Sequence, residues 1–325
     1  MLKIEEGEVN MKTCFIAYSL GFFYLLVGFA AFGARMGVCG DFTDEIERDF
    51  AIRSIGQLQV TNLRGPISIQ GWSQDRIRVK AKRHVTAENS EESKRLLSAM
   101  DFRFRVVGKD IELSAEYGRG LEIKERLQEQ LHPKGQMEIQ IFAPAHFDLR
   151  VWGVDSKVLL KGWSAPAEVR TIAGAIQVEG VKAKYISLLC PRCAMSAQAV
   201  KGDLRCMGGE GNISLMDVQS DHLYVETVSG EVRATHVTGE QLFVSKTGKI
   251  HGEWLKGRVD FHTQAGAIEL LSGSGFVSGS SQSGAVSVQM SEWKFSDDAL
   301  IETTQGDVEL ILPPSFSGDV DLKTR

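Results

Sequence analysis

Residues 225–270 read VETVSGEVRATHVTGEQL, FVSKTGKIHGEWLKGRVD and FHTQAGAIEL, and laid out in these lines of eighteen they decide the fold. Gly230, Gly248 and Gly266 share one column. Val232, Ile250 and Ile268 share a second, two positions later, and Val225, Phe243 and Phe261 a third, five positions earlier. The corner column extends to Ser156, Gly174, Cys193 and Gly211 upstream and to Gly284 and Gly306 downstream, with gaps of 18, 19, 18, 19, 18, 18, 18 and 22. The other columns extend with it: Val158, Ile176, Met195, Ile213, Val286 and Val308 two after the corner, and Val151, Val169, Leu188, Cys206, Gly279 and Ile301 five before. Seven after it stand Trp163, Val181, Val200, Val218, Val237 and Leu255. A fixed period of this size marks a stacked repeat.

Inside each unit the apolar residues alternate, as in Ile176/Val178, Ile268/Leu270 and Val286/Val288, which predicts short strands with one face inward. One such unit cannot bury its face alone, so successive units stack, each strand pairing with its equivalent one coil on. The expected fold is all-β, a single-stranded parallel β-helix or β-solenoid of 18–19 residues per coil. Glycine suits the corner because a tight bend often needs positive φ. A hydroxyl recurs three positions before it, at Thr171, Thr227, Ser245, Thr263, Ser281 and Thr303, and is expected to form a stacked ladder.

The same template occurs once upstream, in Gly65-Pro66-Ile67-Ser68-Ile69-Gln70-Gly71-Trp72 with Val60 five before the corner. A first coil therefore precedes a small α+β insertion at about 82–142. Within it Asn89 caps a helix running to Met100, with Glu92 three positions later. Phe102–Ala115 alternates like a hairpin around Gly108-Lys109, Leu121–Leu131 suggests a weaker helix, and Met137–Phe142 returns to alternation. Residues 56–325 are thus the solenoid domain with its insertion, 41–55 a linker and 1–40 an export signal or anchor.

That address rests on Thr13–Ala34, 22 residues without a formal charge between Lys12 and Arg35. The run fits a cleaved signal peptide starting at Met11, an uncleaved N-terminal anchor, or, through Cys39, a lipidation signal. The remainder is ordinary globular composition, 325 residues with 43% hydrophobic and 24% charged, which excludes wholesale disorder. The net charge of -5 has the wrong sign for a nucleic-acid binder. Five cysteines are too few for a disulfide framework; Cys190-Pro191-Arg192-Cys193 is a lone C-x-x-C, read either as a local disulfide or as two ordinary buried or turn cysteines, with Cys206 apart.

The segments VTNLRGPISIQGW, VETVSGEV and TTQGDVELILP resemble the β-strand-repeat "putative adhesin" domain family of bacterial envelope proteins, a head-GIN-like domain of unknown function. The resemblance spans roughly residues 56–325 and implies an exported, right-handed β-helical protein of the periplasm, outer membrane or cell surface. Cys193 and Ser156 depart from its glycine corner.

Chemistry is sparse. In a stacked repeat, a catalytic cluster would appear as polar residues in one slot of adjacent coils. The outward slot three after the corner holds one such run, Arg233, His251 and Glu269, without an aligned nucleophile or second carboxylate, so cross-strand charge pairing is its plainer meaning. No slot shows paired acids on neighbouring coils, which counts against a polysaccharide lyase or hydrolase. No histidine set has metal-ligand spacing, and no cofactor is expected. The remaining candidate is the strand Asp75–Lys82, whose alternation puts Arg76, Arg78, Lys80 and Lys82 on one outward face. That face suits an anionic envelope glycan, a lipid head group or an acidic envelope protein, unless Glu112 and Glu116 of the hairpin neutralise it. The expectation is a non-enzymatic envelope protein, adhesin-like, with a membrane link only through its N-terminus. One alternative is a self-assembling scaffold whose last strand, Asp319–Thr324, offers an open edge, and another is a β-helix enzyme acting on envelope polysaccharide.

Overall fold

The computed structural model describes residues 40–52, 56–120, 134–294 and 299–318. The apolar N-terminal run, Cys39, the weaker helix at Leu121–Leu131 and the edge strand at Asp319–Thr324 lie outside the described residues. Among the described residues no helix is long and apolar enough to cross a membrane. Everything described belongs to one compact unit, Val38–Arg325.

The chain runs β1 (Gly40–Ala51), β2 (Gln57–Arg64), β3 (Ile67–Trp72), β4 (Arg76–Ala87), α1 (Ser90–Ser98), β5 (Asp101–Val107), β6 (Asp110–Glu116) and β7 (Gly135–Pro144). There follow β8 (Asp148–Lys161), β9 (Ala167–Arg170), β10 (Ala173–Glu179), β11 (Lys182–Cys190), β12 (Arg192–Gly208), β13 (Ile213–Thr227) and β14 (Val232–Ser245). The last are β15 (Ile250–Glu253), β16 (Lys256–Thr263), β17 (Ile268–Ser283), β18 (Val286–Trp293), β19 (Ile301–Gln305) and β20 (Val308–Ile311).

From β8 onward every pairing is parallel and joins equivalent residues of successive coils: Val232 faces Ile250, Ile250 faces Ile268, and Ile268 faces Val286. The protein is a β-solenoid. One face stacks β8, β10, β12, β13, β14, β15, β17, β18 and β20. The other stacks β8, β9, β11, β12, β13, β14, β16, β17 and β19. The two 19-residue gaps have a local cause. Each carries one extra residue in the same part of the coil, and the register shifts there, between Lys182 and Tyr185 and between Gln219 and His222.

Between the faces lies a core built from the predicted columns, including Ile176, Leu188, Ile213, Val225, Val232, Phe243, Phe261 and Ile268, all buried. Burying each such side chain contributes about 1.5–3 kcal/mol, so the regular alternation of the sequence is what holds the stack. Where Phe261 is large, its neighbour in the column is Gly279, and a Cβ there would come 2.7 Å from the phenyl ring.

Two expectations about the corner hold in part. Gly65, Gly174 and Gly306 take positive φ as expected, whereas Gly230 and Gly248 do not. A Cβ on Gly248 would lie 2.0 Å from the carbonyl oxygen of Gly230, and one on Gly230 1.9 Å from that of Gly211, so glycine is required by the close approach of successive corners. The hydroxyls stack in register as expected, Thr227 opposite Ser245, Ser245 opposite Thr263, Thr263 opposite Ser281 and Ser281 opposite Thr303, but they bond to backbone rather than to one another. Three accept from the backbone N–H of their own corner, Gly230 to Thr227 Oγ1 at 3.2 Å, Gly248 to Ser245 Oγ at 2.9 Å and Gly266 to Thr263 Oγ1 at 2.9 Å, while Thr227 and Thr303 also donate to Gly209 O and Gly284 O of the preceding coil at 3.2 and 3.1 Å. The N–H bonds are local Ser/Thr turns that satisfy a buried donor.

The insertion is a cap. β7 lies parallel to β3 on the side away from β8, and β6 lies parallel to β2 on the side away from β8, so together they extend the stack beyond the first coil. The stack then ends in antiparallel strands: β4 on β7, β1 on β4, and β5 on β6. Residues 41–55, expected as a linker, thus contain a strand, because the acids of β1 match the bases of β4. α1 forms as predicted, with Asn89 Oδ1 accepting from the Glu92 N–H at 2.8 Å, and the β5–β6 hairpin turns at Gly108, φ +65. A buried polar latch joins cap to coil: the Tyr117 hydroxyl donates to Arg64 O at 2.7 Å and sits 2.8 Å from Asn62 Oδ1, while Asn62 Nδ2 donates to Met137 O at 2.8 Å.

Candidate functional site

The basic strand is paired with an acidic one. β1 runs antiparallel alongside β4 with Asp49 opposite Arg78, Glu47 opposite Lys80 and Glu45 opposite Lys82. Arg76 reaches Asp49 at 3.0 Å, Arg78 reaches Asp49 at 2.8 Å and Glu47 at 3.4 Å, and Lys80 reaches Glu47 at 3.3 Å. The hydrogen bond from Arg78 holds the Asp49 carboxyl below its usual range. Arg76 and Arg78 also lie 5.4 and 5.9 Å from the Trp72 ring centroid. Lys82 faces Glu45 on one side and Glu138 on the other. Glu112 and Glu116, expected to neutralise this strand, pair instead with Arg105 and Arg103 of their own hairpin.

The polar column is aligned as the repeat requires, with Arg233 opposite His251 and His251 opposite Glu269. Its bonding differs from its register. Arg233 turns to Glu231 at 3.1 Å, whereas His251 lies between two carboxylates, Nδ1 3.1 Å from Glu269 and Nε2 2.9 Å from Glu253. The Lys249 ammonium, 2.5 Å from Glu269, acts first and His251 second in holding that carboxyl below its ordinary range. Glu253 was not found by comparing equal slots because it lies in the same coil as His251, two residues along the same strand and on the same face. The period of two was the signal that could have found it.

A second feature escaped sequence reading altogether. Six residues after seven of the corners the chain bends again, and there Gly162, Gly180, Ala199, Asp217, His236, Trp254 and Ser272 all adopt the left-handed conformation, with φ between 53 and 62. Two coils use glycine at this position; five accept the cost of a side chain in it, largest for bulky residues. Asp217, His236 and Trp254 occupy consecutive coils and stand well out of the surface. His236 Nδ1 lies 3.4 Å from Asp217 Oδ1, and the His236 and Trp254 rings lie 6.4 Å apart, tilted by 32°. Trp254 is 56% exposed and directly follows Glu253.

The C-x-x-C motif resolves to a disulfide, Cys190–Cys193. Cys190 stands in the hydroxyl slot and Cys193 in the corner slot, so this coil replaces the Ser/Thr-to-glycine hydrogen bond with a covalent one. Cys206 is free, and complete burial pushes its thiol pKa up to about 12, leaving it without thiolate at neutral pH. Among the described residues no group of three or more His, Cys, Asp or Glu is placed to hold a metal.

Comparison with known proteins gives one family match, to Toastrack DUF4097 over residues 167–325. No curated protein matches. Similar solved structures include a "putative adhesin" from Parabacteroides merdae, 10% identical, TM-score 0.47, covering 82% of this chain and 96% of that one. A "putative adhesin" from Bacteroides fragilis is 14% identical, TM-score 0.36, covering 82% and 97%. A "putative lipid binding protein" from Parabacteroides distasonis is 13% identical, TM-score 0.38, covering 82% and 96%. All three TM-scores lie under 0.5, and no role or ligand is carried over from them. Residues 167–325 match the Toastrack DUF4097 model, a domain of unknown function like the one that the sequence resembles.

Proposed function

We propose that this protein is an exported, non-enzymatic component of a bacterial envelope, a rigid β-solenoid that binds through its lateral surface as an adhesin does. The observation that carries this reading is the second bend, where Asp217, His236 and Trp254 project from consecutive coils in a backbone conformation that favours glycine. Side chains kept exposed at a conformational cost are the mark of a surface used for contact.

Export draws support from the uncharged run Thr13–Ala34 and from Cys190–Cys193, since disulfides persist chiefly in oxidising compartments. The periplasm, outer membrane and cell surface all meet that condition. The non-enzymatic reading draws support from the charged columns: His251, Glu253, Glu269 and Lys249 bond to one another, whereas a glycosidase holds its carboxylates open to substrate.

A self-assembling scaffold is the second reading, favoured by Leu300, Val308 and Ile311, all exposed on the last described coil. Head-to-tail growth needs two open parallel edges. The cap opposes it by ending the other side in antiparallel strands, one of them carrying Asp41, Asp44, Glu45, Glu47 and Asp49.

Cell fractionation with mass and N-terminal analysis of the mature chain tests the address: loss of the first 30–40 residues is expected, and an intact cytoplasmic chain overturns it. Sedimentation at rising concentration is expected to show no filament; a growing polymer gives the scaffold reading first place.

A further inference from the structure

We infer that the bend bearing Trp254 is a subsite for a neutral pyranose glycan, the indole face stacking on a sugar ring while His236 and Asp217 bond its hydroxyls; this rests on the envelope-binding reading above. Trp254 is more than half exposed, and its ring meets only the exposed His236 ring among the aromatic contacts of the described residues. Its backbone is left-handed at φ +56, where Gly162 and Gly180 serve other coils without strain. A bulky residue that gains little burial and is strained in place is not there to stabilise the coil.

The neighbours narrow the ligand. Successive coils stand about 4.8 Å apart, so Asp217, His236 and Trp254 present an acceptor, a donor and an apolar plate at a spacing close to the rise of one sugar in an extended chain. Trp is amphipathic and binds through one apolar face while its N–H stays available. Asp217 is the exposed acid of the same column, beside His236, and its charge disfavours an acidic polysaccharide or an anionic lipid head group there, while the Glu253 carboxylate is held by His251. A neutral or N-acetylated pyranose chain meets no such opposition. The basic strand that would have suited an anionic glycan has its charges matched by the acids of β1.

The test uses the mature chain as recovered from cells, titrated calorimetrically with oligomers of β-1,4-linked N-acetylglucosamine, cello-oligosaccharides and α-glucan, and separately with polygalacturonate and phosphatidylglycerol vesicles. At least one neutral oligomer is expected to bind, and Trp254→Gly is expected to weaken it at least about tenfold. Because glycine is favoured at this φ, Trp254→Gly is expected to melt no lower than the parent, whereas a structural tryptophan would melt lower on removal. Trp254→Ser, which copies Ser272 of the same column, serves as the second variant, and Trp152→Ala, another exposed tryptophan, is expected to bind normally. Failure of every neutral oligomer, unchanged binding by both Trp254 variants, or binding to vesicles or polygalacturonate alone overturns the inference. Retention on isolated envelopes is measured in parallel. Retention untouched by Trp254→Gly defeats the subsite and leaves the envelope reading standing; glycan binding without retention by the parent does the reverse.

Discussion

The regular coils from Val151 to Ile311 and the cap that closes their N-terminal side are both β-sheet, yet different interactions fix their registers. In the coils a slip of one residue would turn Ile250 and Ile268 outward and drive each corner glycine into a carbonyl, so apolar burial and close approach hold the register together. In the cap, β1 joins β4 with few buried side chains, its inner residues Phe42, Ile46 and Phe50 only half-buried, and its register follows the match of Asp49 and Glu47 to Arg76, Arg78 and Lys80. The stack repeats one solution; the cap ends it with a strand whose charges discourage further pairing.

The largest test of that contrast is at glycine. Gly248→Ala pushes a Cβ into Gly230 O and is expected to cost about 2–3 kcal/mol by urea unfolding. Gly108→Ala in the cap hairpin meets nothing within 4 Å and is expected to cost about 1 kcal/mol, from its left-handed φ alone. Equal losses would remove close stacking as the reason for glycine.

Tyr117→Phe sharpens the boundary between the two regions. It leaves Arg64 O without its hydroxyl donor and Asn62 Oδ1 short of a partner in a buried site, at a cost of about 1–3 kcal/mol. Hydrogen exchange should rise in β6 and β7 first. Uniform loss of protection along the whole stack would mean that the cap is not a separate unit of stability.

Within the coils, the disulfide can be exchanged for the usual corner. Reduction is expected to cost about 1–2 kcal/mol, since the closed loop is short. The double variant Cys190→Ser/Cys193→Gly, which restores the Ser-to-glycine turn, should lie within about 1 kcal/mol of the oxidised parent. A double variant no better than the reduced protein would sink the equivalence of the two corners.

The smallest effect is that of pH. Arg78 lowers Asp49 and Lys134 lowers Glu92 in the cap, and Lys249 lowers Glu269 and Lys294 lowers Glu292 in the coils. A carboxylate depressed by folding adds stability above its unfolded pKa and loses it as pH falls through the folded value, so melting temperatures should hold from pH 7 to about 5 and decline below about 4. These groups are exposed, so the decline is shallow and fades in salt. A drop between pH 7 and 5 would point to histidines instead.

The apolar columns, the corner, the helix cap at Asn89 and the turn at Gly108 were legible in the sequence because each involves residues at a short or constant separation. The aligned column Arg233, His251 and Glu269 was legible for the same reason, though not the same-strand partner Glu253. The second bend was harder to see, since only Gly162 and Gly180 and the tolerance of Asp217 and His236 point to a left-handed backbone in that column, and Trp254, Ala199 and Ser272 do not. Only tertiary structure decided that the insertion closes the stack and that β1 neutralises Arg76, Arg78 and Lys80. Those contacts join strands tens of residues apart, and their partners are chosen by which edge remains unpaired once the coils have stacked, a choice no local period records.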